Sequence, residues 1–273
     1  MLATVERGGG AVRGADRSDL NITDRAACER AVAGADVVVN CAAWTAVDDA
    51  ESREAEAFAV NALGTANLAA AATAAGARLV QISTDYVFDG IASAPYEADD
   101  VPHPLSAYGR TKLAGEWAVA ASGGDHMVVR TAWLYGAGGP CFPSTIARVA
   151  RDRGALEVVD DQVGQPTWTV DLADQIVRLV EARAPRGTYH GTSGGQGSWF
   201  DFARAVVGSA GMDPALVAPT TSDAYRRPAP RPAWSVLGDG AVRAAGVEPI
   251  GDWRERWAAA SADPSVRAAL LAP

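Results

Sequence analysis

Lysine is nearly absent from this chain of 273 residues, because only one of its 24 lysine and arginine side chains, Lys112, is a lysine. Arginine fills almost every position where a surface cation would serve. The two groups differ chemically, since lysine is a compact point charge whereas arginine is a planar, permanently charged fork. The one position that keeps an amine is therefore a candidate for chemistry that needs an amine.

Net positive charge, paired cysteines and long apolar runs are also missing. The net charge of −9 argues against a nucleic-acid partner, because phosphate binding needs a basic surface. Three cysteines without CxxC spacing and 3 scattered histidines predict neither a disulfide framework nor a metal site. No stretch has the ~18 apolar residues of a membrane span, and no signal peptide is visible. We expect a cytoplasmic protein without a membrane partner.

Short apolar runs alternate with segments of helical length in the first half of the chain. Residues 37–43, 78–84 and 127–131 have the composition of strands buried on both faces, and helices are predicted over 24–33, 55–76 and 108–121. This alternation predicts βαβ units and a parallel sheet. The predicted class is α/β, a Rossmann-type doubly wound sheet, with ligands at the carboxyl ends of the strands.

Proline becomes more frequent from about residue 140, and long apolar strands become fewer. We therefore divide the chain into a dinucleotide-binding domain, residues 1–140, and a smaller C-terminal lobe for the substrate, residues 141–273. The lobe is expected to interleave with the sheet. Helices are predicted in it over 171–182 and 199–209.

Tyr108 lies four residues before the single lysine, so a helix would place the phenol and the amine on one face. Ser83 and Thr84 follow directly from a predicted strand, where a hydroxyl can face the same site. The structural alternatives are a solvated helix pair and an ordinary Ser/Thr turn.

A strand-end hydroxyl followed by Tyr-x-x-x-Lys at the start of a helix resembles the short-chain dehydrogenase/reductase superfamily. Longer segments resemble its nucleotide-sugar branch, and specifically the dTDP-4-dehydrorhamnose reductase family, over residues 12 to 257. These segments are 40–48 (NCAAWTAVD), 83–90 (STDYVFDG), 108–116 (YGRTKLAGE), 130–135 (RTAWLY), 161–167 (DQVGQPT) and 231–237 (RPAWSVL).

The resemblance implies reduction of the 4-keto group of a dTDP-4-dehydro-6-deoxyhexose by NADPH or NADH. Tyr108 would protonate the carbonyl oxygen, and Thr84 would replace the usual serine. Lys112 would hold the nicotinamide ribose and favour the Tyr108 phenolate. A homodimer is a further expectation.

The resemblance also implies binding positions. Those for the cofactor are Asp16, Arg17, Asn21, Ile22, Cys41, Ala42, Ala43, Thr45, Ser83, Tyr108 and Lys112, and those for the substrate are Thr84, Asp85, Tyr86, Trp133 and Arg231. Asp16 suits a free ribose 2′-hydroxyl while Arg17 suits a 2′-phosphate, so both cofactors stay open. Trp133 has a core aromatic as its alternative, and Arg226 and Arg227 compete with Arg231 as diphosphate ligands.

A glycine-rich phosphate loop should precede the acidic ribose ligand by ~20 residues. With residues 11–16 as the second strand and Asp16 as that acid, the first strand and the loop would precede residue 1. Gly8, Gly9 and Gly10 are interpreted as the stop of a helix. We therefore expect the dinucleotide-binding domain to lack this front end in the present sequence.

Two alternative functions stay open from the sequence. One is a non-catalytic regulatory or binding subunit that uses the same fold. The other is an epimerase or dehydratase of the same superfamily. Dehydratases place an acidic pair after the strand-end threonine, whereas here Tyr86 follows Asp85.

Overall fold

The computed structural model describes residues 11–272. The strands of this part are β1 (Val37–Asn40), β2 (Arg78–Thr84), β3 (Met127–Thr131), β4 (Leu134–Tyr135), β5 (Leu156–Val159), β6 (Val163–Gly164), β7 (Thr167–Trp168), β8 (Gly187–His190), β9 (Ser193–Gly194), β10 (Gly197–Ser198), β11 (Val217–Thr220) and β12 (Ile250–Asp252). The main sheet is parallel, in the order β1-β2-β3-β8. The predicted α/β class with a parallel sheet is confirmed, and β2 and β3 have the predicted bounds.

Helices cover both faces of this sheet. The helices of residues 11–272 are α1 (Arg25–Val32), α2 (Val47–Ser52), α3 (Glu54–Phe58), α4 (Thr65–Ala75), α5 (Ala107–Ala121), α6 (Phe142–Arg153), α7 (Thr169–Glu181), α8 (Trp199–Ser209), α9 (Gly240–Ala244), α10 (Trp253–Ala262) and α11 (Pro264–Leu271). A π-helical turn, Ala59–Gly64, joins α3 to α4, and 3-10 turns cover Asp85–Val87 and Pro214–Leu216.

Successive residues of the central strands pack on opposite faces, because side chains alternate along a strand. Leu79 and Val128 lie in an apolar cluster with residues of α1 and α4. Val80 and Val129 lie in a second cluster with residues of α7 and β8. The sheet is therefore buried on both faces, which explains why its strands are continuous apolar runs.

The stretch Glu54–Ala75 forms one continuous helical segment, with a mean hydropathy of 1.2 over its most apolar window. By length and composition it could cross a membrane, yet half of that window is buried within the structure. Its buried residues pack against α1, α5 and β2. It forms part of the core on one side of the sheet.

The C-terminal half contributes both to the main sheet and to a second core. β8 completes the main sheet, and α7 packs against one of its faces. Phe202, Trp253 and Trp257 belong to a separate apolar cluster, which is built from α6, α8, α10 and α11. Short strand pairs, β5 with β11 and β6 with β10, lie beside this cluster. The division near residue 140 stays a prediction.

The predicted strand over residues 11–16 is wrong, since these residues are irregular. A strand needs a hydrogen-bonded neighbour, and within residues 11–272 no strand pairs with this segment, while β1 lies at the sheet edge. Asp16 instead caps a turn, where its carboxylate accepts hydrogen bonds from the Ser18 amide at 2.7 Å and hydroxyl at 2.6 Å. The interpretation of Gly8 to Gly10 concerns residues outside the described range.

The start of α1 and the end of α4 have residues that helix termini favour. The Asp24 carboxylate accepts a hydrogen bond from the Ala27 amide at the start of α1. Gly76 ends α4 in the left-handed conformation with φ of 68°. A Cβ atom at Gly76 would contact nothing within 4 Å, so only backbone strain requires glycine there.

We expect Gly76→Ala to lower the free energy of unfolding by about 1 kcal/mol, because residues with a Cβ atom are strained at this φ. Urea unfolding followed by circular dichroism measures this change. Gly139→Ala is the matched control, since Gly139 has open space and no positive φ. Equal stability changes in the two variants would contradict the backbone explanation.

Candidate active site

The carboxyl ends of β2 and β3 lie side by side, with Thr84 paired to Thr131 in the parallel register. Helix α5 begins at this edge, where the Ser106 hydroxyl accepts a hydrogen bond from the Gly109 amide at 3.1 Å. The first turn of α5 is thereby fixed above the end of β2. This arrangement brings the strand-end hydroxyls and the Tyr-x-x-x-Lys segment to one place.

Lys112 points inward from α5 and is only 4% exposed. Its ammonium donates a hydrogen bond to the carbonyl oxygen of Ile82, with an Nζ to O distance of 2.6 Å. Burial lowers the pKa of Lys112 to about 8, and the nearby Glu116 and Cys41 oppose that change. The amine is therefore a buried group bound to the backbone near the carboxyl end of β2, and it is not a solvated surface cation.

Tyr108 lies one turn earlier, with its ring edge-on to that of Tyr86 at a centroid distance of 5.6 Å. The carbonyl oxygen of Tyr86 approaches the backbone of Gly109 so closely that a Cβ there would lie 2.2 Å from it. Glycine after the tyrosine is required by this contact. It lets α5 dock against the turn that follows β2.

The Thr84 hydroxyl lies at the centre of the turn after β2. It donates a hydrogen bond to Oδ1 of Asp85 at 2.9 Å and accepts one from the Tyr86 amide at 3.2 Å. It thus caps the 3-10 turn Asp85–Val87, as the turn alternative predicted, and it also lies beside the Tyr108 phenol. The two roles coexist.

Asp85 is a buried carboxylic acid with one oxygen left free. Among the described side chains and backbone groups, none forms a hydrogen bond with its Oδ2. Burial raises the pKa of Asp85 to about 6, and the hydroxyls of Ser235 and Thr84 oppose the rise. An acid of this kind suits a ligand that donates a hydrogen bond.

The Tyr108 phenol is neutral at physiological pH. Burial raises its pKa to about 12, the charge of Asp85 adds to this, and the Thr84 hydroxyl opposes it. Lys112 is not among the groups that shift this pKa, since its ammonium is directed at the Ile82 carbonyl. The lowering expected of Lys112 stays a prediction.

Trp133 has a left-handed backbone conformation, with φ of 48°. Its ring stacks on that of Trp199 at a centroid distance of 3.7 Å, and a Cβ at Gly164 would lie 2.6 Å from it. Gly164 of the 161–167 segment therefore leaves space for the indole. Trp133 is half-buried at the carboxyl edge of the sheet, so it differs from an ordinary core aromatic.

Arg231 pairs with Asp48 of α2 through its Nη1, and Arg227 donates to the same carboxylate at 2.6 and 2.9 Å. The Ala229 amide adds a further bond at 3.2 Å. Partial burial alone would raise the Asp48 pKa, but the bonds from Arg231, Ala229 and Arg227 outweigh it and lower the pKa to about 2. Asp48 thus ties the proline-rich loop to the strand-end region, and Arg226 takes no part in these bonds.

The predicted cofactor residues fall into two places. One group lies on the loop after β1 and comprises Cys41, Ala42, Ala43 and Thr45, of which the first three have small side chains. Cys41 lies close enough to Lys112 to influence the pKa of the amine. Ser83 lies between Ile82 and Thr84, and its hydroxyl donates to Glu116. These residues share the carboxyl edge with Tyr108.

The other four cofactor predictions, Asp16, Arg17, Asn21 and Ile22, lie in the turns before α1. Asp16 and Asn21 accept hydrogen bonds within their own turns. The Ile22 side chain is buried in the core against Gly64, so only its backbone is available to a ligand. Within residues 11–272, the hydrogen bonds of Asp16 and Asn21 do not reach the Tyr108 site.

Three residues of the site escaped the sequence analysis. Asn61, in the π-helical turn, bonds to the backbone of Trp44 at 2.8 and 3.2 Å and to the Thr111 hydroxyl at 3.0 Å, and so holds the loop after β1 against α5. Asp48 forms a half-buried ion pair with Arg231, and Glu116 forms a buried ion pair with Arg130. Only Glu116 had a local signal, because it follows Lys112 by four residues on the same helix face.

Within residues 11–272, no group of three or more His, Cys, Asp or Glu side chains is placed to hold a metal ion. The site combines hydroxyls, the Lys112 amine and the buried acid Asp85, with Glu116 paired to Arg130 beside them. Such a set can bind and protonate a carbonyl oxygen.

The chain is similar to known proteins over most of its length. The family described as the RmlD substrate binding domain matches residues 1–264. A dTDP-4-dehydrorhamnose reductase of Streptomyces griseus is 51% identical over 261 residues, 93% of this chain and 86% of the relative. A dTDP-4-keto-6-deoxy-D-glucose reductase of Streptomyces niveus is 48% identical, covering 87% of this chain and 83% of the relative.

A solved structure agrees with the fold. The dTDP-4-dehydrorhamnose reductase of Bacillus anthracis, determined in complex with NADP, superimposes with a TM-score of 0.90 at 33% identity. The match covers 95% of this chain and 93% of the other.

We expect Asp48→Asn to lower the free energy of unfolding by about 2 kcal/mol at pH 7. The folded-state pKa of Asp48 lies below its ordinary value of 3.8, so its contribution is present above pH 4. The stability gap between wild type and variant should close as the pH falls from about 4 to 2. Urea unfolding across this range measures it, and a gap that stays constant would contradict the assignment.

Proposed function

The chain belongs to the dTDP-4-dehydrorhamnose reductase family, and from this premise we propose that it reduces the 4-keto group of a dTDP-4-dehydro-6-deoxyhexose with NADPH or NADH. The observation that carries the proposal is the convergence of Thr84, Tyr108 and Lys112 at the carboxyl edge of the sheet. Polar groups at this edge of a parallel sheet are placed to meet a ligand.

Ketone reduction adds a hydride to the carbonyl carbon and a proton to its oxygen. The reduced nicotinamide, when bound, supplies the hydride. Tyr108, whose phenol carries its proton at neutral pH, supplies the proton to the carbonyl oxygen. The Thr84 hydroxyl lies beside the phenol, and it can donate to the same carbonyl oxygen and orient it once its single O–H turns from Asp85 to the substrate.

Lys112 fits the ribose of a nicotinamide cofactor. An ammonium has three donors, and the described residues take one of them, through the Ile82 carbonyl. The remaining donors suit the two ribose hydroxyls. The small side chains of Cys41, Ala42 and Ala43 allow a dinucleotide to pass close to the loop after β1.

Asp85, Tyr86, Trp133 and Arg231 fit the sugar nucleotide. The free Oδ2 of Asp85 suits a sugar hydroxyl that donates a hydrogen bond. Arg231 suits the diphosphate, because the described residues engage only its Nη1 and leave Nε and Nη2 to donate to phosphate oxygens.

The sugar and the choice between NADPH and NADH belong to this proposal. The Bacillus anthracis relative was solved with NADP, which favours trying NADPH first. The two Streptomyces relatives are named for different sugars, so both substrates need testing. The cytoplasmic location and the homodimer stay predictions.

The test is NAD(P)H oxidation by the purified full-length protein, followed at the absorbance of the reduced nicotinamide. We expect oxidation with dTDP-4-dehydro-L-rhamnose or dTDP-4-keto-6-deoxy-D-glucose and none without sugar. A protein that binds both ligands without oxidising the cofactor would contradict the proposal and favour a non-catalytic subunit.

We expect Tyr108→Phe to lower kcat by about 100-fold to 10,000-fold, because it removes the proton donor while keeping the ring. Steady-state kinetics at saturating cofactor measure the change. Tyr189→Phe is the matched control, since the Tyr189 hydroxyl only donates to the Pro185 carbonyl beside β8. A similar loss in both variants would mean that Tyr108 acts through stability.

We expect Lys112→Arg to keep the fold and the charge yet lose at least about 100-fold in kcat/KM, because the larger planar guanidinium cannot occupy the buried amine position. Far-ultraviolet circular dichroism reports the fold. The exposed Arg110→Lys exchange on the same helix is the control and should leave activity unchanged. Normal turnover by Lys112→Arg would show that the amine is dispensable.

A further inference from the structure

A buried ion pair lies directly behind Lys112. Glu116 of α5 and Arg130 of β3 are both almost fully buried. The Arg130 Nη2 donates to Oε2 of Glu116 at 2.8 Å, and its Nε donates to Oε1 at 3.1 Å. A buried bidentate pair of this kind is costly to form, so its location calls for a reason.

Glu116 and Lys112 hold two consecutive residues of β2. The Lys112 ammonium binds the Ile82 carbonyl at 2.6 Å, and the Glu116 carboxylate accepts a hydrogen bond from the Ser83 hydroxyl at 2.5 Å. The next residue is Thr84. Two successive turns of α5 are thus fixed to the strand immediately before the proposed catalytic hydroxyl.

The Glu116 carboxylate also offsets the positive charges of Lys112 and Arg130, which are buried near the edge of the sheet. Without the Glu116 carboxylate, the ammonium of Lys112 and the guanidinium of Arg130 would be two buried cations on neighbouring elements. Desolvation disfavours a buried ammonium, and a nearby carboxylate favours it. Glu116 is therefore the group that opposes the loss of the Lys112 proton.

We propose that Glu116, held by Arg130, is a positioning residue that keeps the Lys112 side chain charged and directed at the end of β2. Arg130 is itself fixed by the Ala98 carbonyl at 3.3 Å and by the Phe88 ring, whose centroid lies 5.0 Å from the guanidinium carbon. The inference rests on the role proposed for Lys112.

Several titratable groups face Lys112 or its pair, and they come from different elements. Cys41 approaches from the loop after β1, Tyr108 and Glu116 lie on α5 itself, and Arg130 reaches from β3. Of these, Glu116 and Cys41 favour the ammonium, while burial opposes it. Glu116 is the carboxylate of this set, and it can be neutralised without altering the proposed catalytic residues.

The single lysine makes a direct measurement possible. Protein grown with lysine labelled with carbon-13 at the ε carbon gives one side-chain resonance per chain, that of Lys112. Its chemical shift followed against pH reports the titration midpoint of this amine in the full chain, and needs no turnover. Failure of the proposed enzymatic function would therefore leave this test intact.

We expect Glu116→Gln to move the Lys112 midpoint to lower pH by about one pH unit, because a carboxylate close to an amine favours its charged form. The alkaline limb of the kcat/KM profile should move in the same direction. Glu116→Asp keeps the charge and should keep the midpoint close to wild type, even where the melting temperature falls.

Glu54→Gln is the matched control. It removes the same charge from an exposed pair with Arg110 on the outer face of α5, so the Lys112 midpoint should stay in place. A Glu116→Gln protein with an unchanged midpoint would overturn the proposal and leave the pair a purely structural role.

The double variant Glu116→Gln/Arg130→Met serves if the single variant does not fold, because it removes both buried charges together. We expect a lower midpoint than in the wild type but a smaller shift than in Glu116→Gln, because the double variant also removes the Arg130 guanidinium, which disfavours the ammonium. An unchanged midpoint in a folded double variant would equally overturn the proposal.

Discussion

The docking of α5 against the carboxyl end of β2 is the contact on which the site depends. The Tyr86 carbonyl packs against Gly109, and the Lys112 ammonium bonds to the Ile82 carbonyl. Both contacts are short and involve backbone atoms, so they leave little freedom in the placement of the helix. The phenol, the amine and the Thr84 hydroxyl converge because this one interface is fixed.

Burial then sets the charge states within that interface. It raises the pKa of Tyr108 and of Asp85 and lowers that of Lys112, each away from its charged form. At neutral pH these values leave the Tyr108 phenol neutral, the Lys112 amine mostly protonated and the Asp85 carboxyl mostly ionised. Glu116 and Arg130 form a buried ion pair beside these groups.

Much of the fold was predictable, because buried parallel strands and capped helices leave local signals. The bounds of β2 and β3, the Asp24 cap and the Gly76 stop all follow from short-range chemistry. The strand proposed over residues 11–16 was wrong, since a strand depends on a neighbour that composition does not reveal. The π-helical turn around Asn61 was also missed. Asn61 forms hydrogen bonds with Trp44 and Thr111, and these residues are distant from it in sequence.

The sequence by itself determined the parallel α/β class and the spacing that puts Tyr108 and Lys112 on one helix face, since both depend on residues a few positions apart. Only the tertiary structure decided the partners. Arg231 is held by Asp48, Trp133 stacks on Trp199, and Glu116 pairs with Arg130. These contacts join residues 14 to 183 positions apart, and burial, rather than sequence spacing, sets their charge states.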